Sequence, residues 1–284
     1  MQIILPSTMT KKAIHPLGIL RAGFGLWKTN FLILLGVYCL IEIPVILIAT
    51  ALPIIFAKSS AAYIVKGIPV LALIMGLLAG IWSSAALILT VCKPRENKPG
   101  GVISNIKEAL RFFLPYLGMS IISTAFILLL VGVGIALLSG VTQLFSLLKT
   151  AQTVSAIILL ILCIPVFLFI VYWVIALSLG GVSCVAEQKG PVRSVLRSYA
   201  LIKNYIIPVA GVFLLVVAIF APAWAPIFLV DKLGQDFMKE NSAVVIFAQV
   251  YQVVLNMLFN MFWVSVGVVL FNKLKEAVDS DVHA

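Results

Sequence analysis

The chain has 284 residues, 63% of them hydrophobic and 11% charged, with a mean hydropathy of +1.19 and a formal net charge of +10. Soluble domains carry about 45–50% apolar and about 25% charged residues, so a water-soluble protein is excluded. The excess of basic residues would raise nucleic acid as a partner in a soluble chain, but here its placement between apolar spans decides its meaning.

Residues 1–12 contain no apolar core of signal-peptide length, so no cleaved leader is expected. From there Leu17, Leu20, Phe24, Trp27 and Phe31 follow one another at spacings of three and four, with Arg21 and Lys28 between them. That spacing predicts an amphipathic helix. It runs into an apolar stretch over 31–55, enough for the about 20 helical residues that cross about 30 Å of hydrocarbon. Glu42 is the one acidic residue well inside a span, two residues before Pro44. It has to face protein or water, as a proton- or cation-binding site, as a protonated carboxyl group hydrogen-bonded to a neighbouring helix, or as a shallow group near the outer interface. A second span is predicted over 68–91, where Gly76, Gly80 and Ser84 form a small-residue seam suited to close helix packing.

The pattern then recurs. Ile103, Ile106, Leu110, Phe113 and Leu117 repeat the spacing 86 residues on, opposite Ser104, Asn105, Lys107, Glu108 and Arg111, and lead to spans over 114–138 and 155–180. Val192, Val195, Tyr199, Ile202 and Ile206 repeat it 89 residues further, before spans over 206–230 and 243–271. In this third copy, helical spacing sets Val192, Val195, Leu196, Tyr199 and Ile202 against Arg193, Ser194, Arg197, Ser198 and Asn204, with Pro191 suited to the first helical position. Such a helix is expected to lie in the membrane interface with its apolar side down. Phe24 to Lys28 and Tyr199 to Lys203 also match in register. The fold expected is an all-α polytopic membrane protein. Its six transmembrane helices fall in three repeats of an amphipathic interfacial helix plus a transmembrane hairpin, roughly 17–102, 103–191 and 192–284, in a single membrane domain 1–284.

Within the fifth span, Pro222-Ala-Trp224-Ala-Pro226 is expected to break the helix as a re-entrant or interfacial turn. The loop after it carries Asp231, Asp236 and Glu240 beside Lys232 and Lys239 and reads as a solvated charged loop. Gln249, Gln252, Asn256 and Asn260 lie along one face of the last span and are expected to point into the bundle. There they would line a polar path or hold helices together through amide hydrogen bonds of about 0.6–2 kcal/mol each.

Fifteen of the twenty Lys and Arg residues fall in the N-terminus, the second and fourth loops and the C-terminus, and five in the other loops. The positive-inside rule then expects both termini and all three amphipathic segments in the cytoplasm, facing anionic headgroups. The run Val185 to Tyr205, with Glu187, Gly190, Arg193, Arg197, Ser198, Tyr199 and Lys203, resembles a group of six-span bacterial membrane proteins. That group includes the membrane domain of some glycerophosphodiester phosphodiesterases and the YciC-type inner-membrane proteins. Tyr199 stands where tryptophan is common in the group and Asn204 where glycine is common. The resemblance implies a multi-pass protein of the bacterial cytoplasmic membrane. It carries over no phosphodiesterase chemistry.

Nothing points to catalysis. The two histidines, His15 and His283, lie outside the spans, so no intramembrane Ser/His pair or His-Glu-x-x-His site can form. Gly132-x-Gly134 lacks the rest of a nucleotide fingerprint, and no Walker motif occurs. Cys39, Cys92, Cys163 and Cys184 have no Cys-x-x-Cys pairing and read as small apolar filler, so no metal or cofactor is expected. The expected function is non-enzymatic. Membrane lipids, a membrane protein or a second copy would bind through Arg21, Lys28, Lys107, Arg111, Arg193, Arg197 and Lys203. The alternative is a secondary transporter or channel-like subunit using Glu42 and the polar face of the last span.

Overall fold

The computed structural model describes residues 14–56, 62–92, 101–147, 152–232 and 242–282. Every element among them is helical: α1 (Pro16–Phe56), α2 (Ala62–Cys92), α3 (Val102–Leu147), α4 (Gln152–Leu177), α5 (Gly180–Ala186), α6 (Pro191–Ile202), α7 (Ile206–Lys232) and α8 (Ser242–Val282). Six stretches are long and apolar enough to cross a membrane: Pro16–Ala49, Ile68–Cys92, Val102–Gln143, Ile157–Ala186, Ile206–Ile227 and Phe247–Ser280. The chain is a helical, multi-pass membrane-spanning protein by these lengths and compositions. Helices are the natural solution, because they satisfy every backbone polar group within one segment of lipid-exposed chain.

The first two amphipathic segments are not separate helices. They continue into their spans as α1, 41 residues long, and α3, 46 residues long, about 60 and 70 Å at 1.5 Å per residue. The third stands alone as α6, ended by a turn in which the Tyr205 amide donates to the Ile202 carbonyl at 2.7 Å. Pro208 explains the difference. It has no amide hydrogen to offer the carbonyl of Asn204, and its ring crowds that carbonyl. No proline occupies the matching place in α1, and α3 carries Pro115 without a break.

The expected break at Pro222 to Pro226 is also absent, since α7 runs through both prolines. The hydroxyl of Tyr251 on α8 donates to the Ala223 carbonyl at 2.8 Å. A neighbouring helix thus satisfies a backbone group beside the prolines, the usual way in which proline is tolerated in a membrane helix.

The chain divides into two compact units, residues 1–28 with 207–284 and residues 29–206. In the second unit the core gathers at one end of the helices, at Leu34 to Ile41, Ala85 to Val91 and Ile175 to Val185, with Leu201 and Ile202 of α6. In the first it gathers at Ile19 and Leu20, at Val209, Val212 and Val216, and along α8 from Met261 to Ala277. Close approaches recur there. A Cβ on Gly36 would lie 3.1 Å from Val102, the first residue of α3; one on Gly118 would lie 2.9 Å from Pro191, the first of α6; one on Gly211 would lie 3.2 Å from Pro16, the first of α1.

In the first unit α1 crosses α8 at Gly23, where a Cβ would lie 2.7 Å from Val266 Cγ2 and 3.0 Å from its Cα. Two helices cannot meet this closely with a side chain between them. A Cβ on Gly25, two residues on, would meet nothing within 4 Å. Gly23→Ala should therefore destabilise the protein by about 1–3 kcal/mol through overpacking, whereas Gly25→Ala should be neutral or stabilising by about 0.5–1 kcal/mol. Thermal unfolding in detergent compares the two variants directly.

Candidate functional site

The basic segment α6 is fixed by its serines. Gly190, in extended conformation, precedes Pro191 at the first helical position, where a missing amide hydrogen costs nothing. Ser194 Oγ lies 3.1 Å from the Lys189 carbonyl and 3.0 Å from that of Gly190, donating between them. Ser198 Oγ donates to the Ala176 carbonyl at 2.7 Å and accepts the Leu179 amide at 3.2 Å, bridging the break between α4 and α5. Both serines are fully buried. Trp173 of α4 stacks on Tyr199 with centroids 5.3 Å apart and planes at 17°. The link before α6 turns at Gln188 with φ 52°. It is clamped by Glu187, whose carboxylate meets Lys189 Nζ at 2.6 Å and Arg197 Nε at 3.4 Å.

The division of faces expected for this helix is therefore corrected. Val192 and Leu196 are exposed, as an apolar side turned to lipid requires, but Ile202 is buried in protein. Ser194 and Ser198, expected outside with the arginines, form the inner face because the backbone breaks beneath them need donors and acceptors. In α3 the same holds for Asn105, expected on the polar face. It is 3% exposed, and its amide donates to Thr90 Oγ1 at 3.1 Å. Trp82 Nε1 adds a bond to the Ile106 carbonyl at 3.1 Å.

Among the basic residues expected to bind lipid or a partner, Arg21, Lys28, Lys107, Arg111, Arg193 and Lys203 are exposed. Arg197 is partly covered and tied to Glu187. Exposed apolar side chains stand beside them: Leu17 and Phe24 on α1, Ile103, Leu110 and Leu114 on α3, Val192 and Leu196 on α6. Lys11, Lys12, Lys93, Arg95 and Lys98 lie outside the described residues, as do Asp236, Lys239 and Glu240 of the expected charged loop.

Glu42 of α1 is half-buried and accepts a hydrogen bond from Ser83 Oγ of α2 at 2.6 Å. Ser83 also lies 3.2 Å from the Gly80 carbonyl. Nine residues separate Ser83 from the end of α2 at Cys92, about 14 Å along the helix. Glu42 and Ser83 both lie inside stretches apolar enough to span a membrane.

The polar stripe on α8 does not face inward as expected. Gln249, Gln252 and Asn260 are exposed and Asn256 half-buried. Inward positions on this helix are taken by Leu255, Met261, Phe262, Ser265 and Val266. Nor is the Gly76/Gly80/Ser84 seam closed by another helix along its length. Nothing lies within 4 Å of a Cβ on Gly76, and the three residues line an open groove with Tyr116 and Ser120.

All four cysteines are free thiols, Cys184 buried and the others partly so. The roles of Ser194, Ser198 and Glu187 were not assigned from sequence. The signal was present, because Ile19, Asn105 and Ser194, and likewise Gly23, Ala109 and Ser198, hold matching places in the three segments and all six are buried. No family model, curated protein or solved structure matches the chain.

Removing the Ser83 hydroxyl takes away the donor that the Glu42 carboxyl group has inside the span, and Ser83→Ala should cost about 1–3 kcal/mol. Glu42→Gln keeps an oxygen that accepts the same bond and should cost less. Detergent melting temperatures of the two variants give the order.

Proposed function

We propose that this is a non-enzymatic protein of the bacterial cytoplasmic membrane. It is built from three copies of one unit, and it binds lipid through three basic cytoplasmic segments, together the collar, a name for the set without regard to their mutual arrangement. The observation that carries the reading is the outward strip of each segment, where cations alternate with large exposed apolar side chains: Leu17, Arg21, Phe24 and Lys28; Ile103, Lys107, Leu110 and Arg111; Val192, Arg193, Leu196 and Lys203. Such a strip suits the boundary between headgroups and acyl chains, with apolar side chains below and cations snorkelling to phosphate.

The repeat is supported by similar contacts. The first residues of α3 and α1, Val102 and Pro16, press on Gly36 and Gly211, which hold matching places, while Pro191, the first residue of α6, presses on Gly118, one helical turn before the matching Ile122. Buried positions on the second spans also match. Thr90, Ala176 and Ser265 stand 86 and 89 residues apart, as the segments do, and all three are buried. Orientation rests on the uneven loop charges.

A transport reading is favoured by one feature, the Glu42–Ser83 pair inside the spans. Proteoliposome flux that depends on the Glu42 carboxylate would support it, and its persistence in Glu42→Gln would remove Glu42 from the mechanism.

For the collar, each basic residue near an anionic surface contributes about 1 kcal/mol. Arg21, Arg193 and Lys203 replaced together by Gln should lower the preference for anionic over zwitterionic lipid by about fivefold or more. Quenching of tryptophan by brominated lipids in reconstituted membranes measures that preference. An unchanged ratio removes the collar as a lipid-binding surface.

A further inference from the structure

The Glu42 carboxyl group and the Ser83 hydroxyl meet inside two stretches that are each apolar enough to cross a membrane. Glu42 is half-buried on α1, and Ser83 on α2 is buried. The partner helix brings no charge, because α2 has no Asp, Glu, Lys, Arg or His between Ile68 and Cys92. Among the described residues, the titratable group that interacts with Glu42 is Tyr38, one turn earlier on α1 and buried. Gly80 lets the carboxyl group come down on α2, since a Cβ there would lie 4.0 Å from Glu42 Oε1.

The distances around Ser83 Oγ give its hydrogen two destinations. Glu42 Oε1 lies at 2.6 Å and the Gly80 carbonyl at 3.2 Å. A serine hydroxyl has one hydrogen and two lone pairs. Beside a carboxylate, Ser83 donates to Glu42. Beside a carboxylic acid, it accepts the acid hydrogen on a lone pair and turns its own hydrogen to the Gly80 carbonyl, a bond that serines in helices commonly make to the preceding turn. The 2.6 Å contact suits either arrangement, and rotating the hydroxyl moves no heavy atom. Both forms of Glu42 therefore find the site already built.

A metal ion fits this pair less well. Calcium and magnesium take about six to eight oxygen ligands, whereas the pair offers one carboxylate and one hydroxyl, with the Gly80 carbonyl beside them. Among the described residues no group of three or more His, Cys, Asp or Glu could hold a metal ion. A proton needs only two oxygens at hydrogen-bond distance.

We propose that the Glu42–Ser83 pair is a reversible proton-binding site within the spans, in which the Ser83 hydroxyl reverses its hydrogen bond as the proton comes and goes. Glu42 holds the proton, and Ser83 is the positioning residue that serves both forms. The inference deepens the transport reading, on which it rests for the use made of the proton, while proton binding itself is measured apart from flux.

Dicyclohexylcarbodiimide, an apolar reagent that adds to carboxylic acids and not to carboxylates, tests it on the full chain in vesicles of phosphatidylcholine and phosphatidylglycerol. Peptide mass mapping after labelling over a range of pH should place an adduct on Glu42. The adduct should be lost as the pH rises and be equal in sodium and choline buffers. Ser83→Ala takes away a bond that is stronger to a charged partner than to a neutral one. It should displace the pH of half-labelling by about 0.5–1, and Ser83→Thr, which keeps a hydroxyl, should restore it. A merely structural Ser83 would change melting temperatures without displacing that pH. Protection of Glu42 by sodium overturns the proposal in favour of a metal cation. An adduct that is independent of pH, or absent at every pH, overturns it as well, and an undisplaced pH in Ser83→Ala overturns the role of the hydroxyl. The sodium and pH comparisons use the unaltered chain, so they decide the proposal even where Ser83→Ala does not fold. Labelling that follows pH in a chain without proteoliposome flux removes the transport reading and leaves the proton site standing.

Discussion

Close contact between the basic segments and the ends of the spans organises the molecule. Inside a bilayer, burying apolar surface against another helix brings little gain, because lipid is as apolar as leucine. Helices are then held by van der Waals packing at small residues and by hydrogen bonds. Both devices are concentrated here. Gly23 lets α1 meet α8 at backbone distance, Asn105 bonds to Thr90 across α3 and α2, and Ser198 binds the backbone of α4 and α5 from α6. The buried residues of each unit gather near these contacts, while long stretches of α3 and α4 beyond them remain exposed.

This arrangement explains the distribution of polar groups on the segments. A small or hydrogen-bonding inner face is needed to reach the span ends, so serine, asparagine, alanine and glycine go inside. Arginine and lysine are left on the outside together with leucine, isoleucine and phenylalanine. The outward strip is thus a by-product of the packing as well as the proposed binding surface. Arg197 marks the boundary between the two roles, because its pairing with Glu187 stiffens the link and withdraws it from the exposed strip.

The spans were legible because hydropathy over about 20 residues is a strong signal, and the three segments because their three-four spacing is regular. The faces were legible in part. An apolar side turned to the membrane suits Val192 and Leu196, which are exposed, but Ser194 and Ser198, grouped with the arginines by their polarity, point in because backbone breaks beneath them need partners. Gln249, Gln252 and Asn260 were expected to turn inward, away from lipid, and are exposed; their helical spacing defined a face without saying which way it turns. Pro222 and Pro226 misled for another reason: each removes a local hydrogen bond, yet α7 continues through both, and the tertiary contact beside them, from Tyr251 to the Ala223 carbonyl, spans 28 residues.

The glycine contacts bear on how the proposed copies depend on one another. Val102 packs on Gly36, Pro191 on Gly118 and Pro16 on Gly211, so the start of each segment is seated on a span belonging to the copy before it. The division into compact units follows the same logic, since residues 1–28 group with 207–284 and not with the remainder of α1. A copy taken alone would keep its hairpin but lose the surface on which its own basic segment rests. In repeat proteins each unit leans on its neighbours for stability, and the proposed copies would do the same. Here the requirement also sets the outward strips, because a segment unseated from the preceding span would no longer be held with Gly23, Ala109 or Ser198 inward and its cations outward.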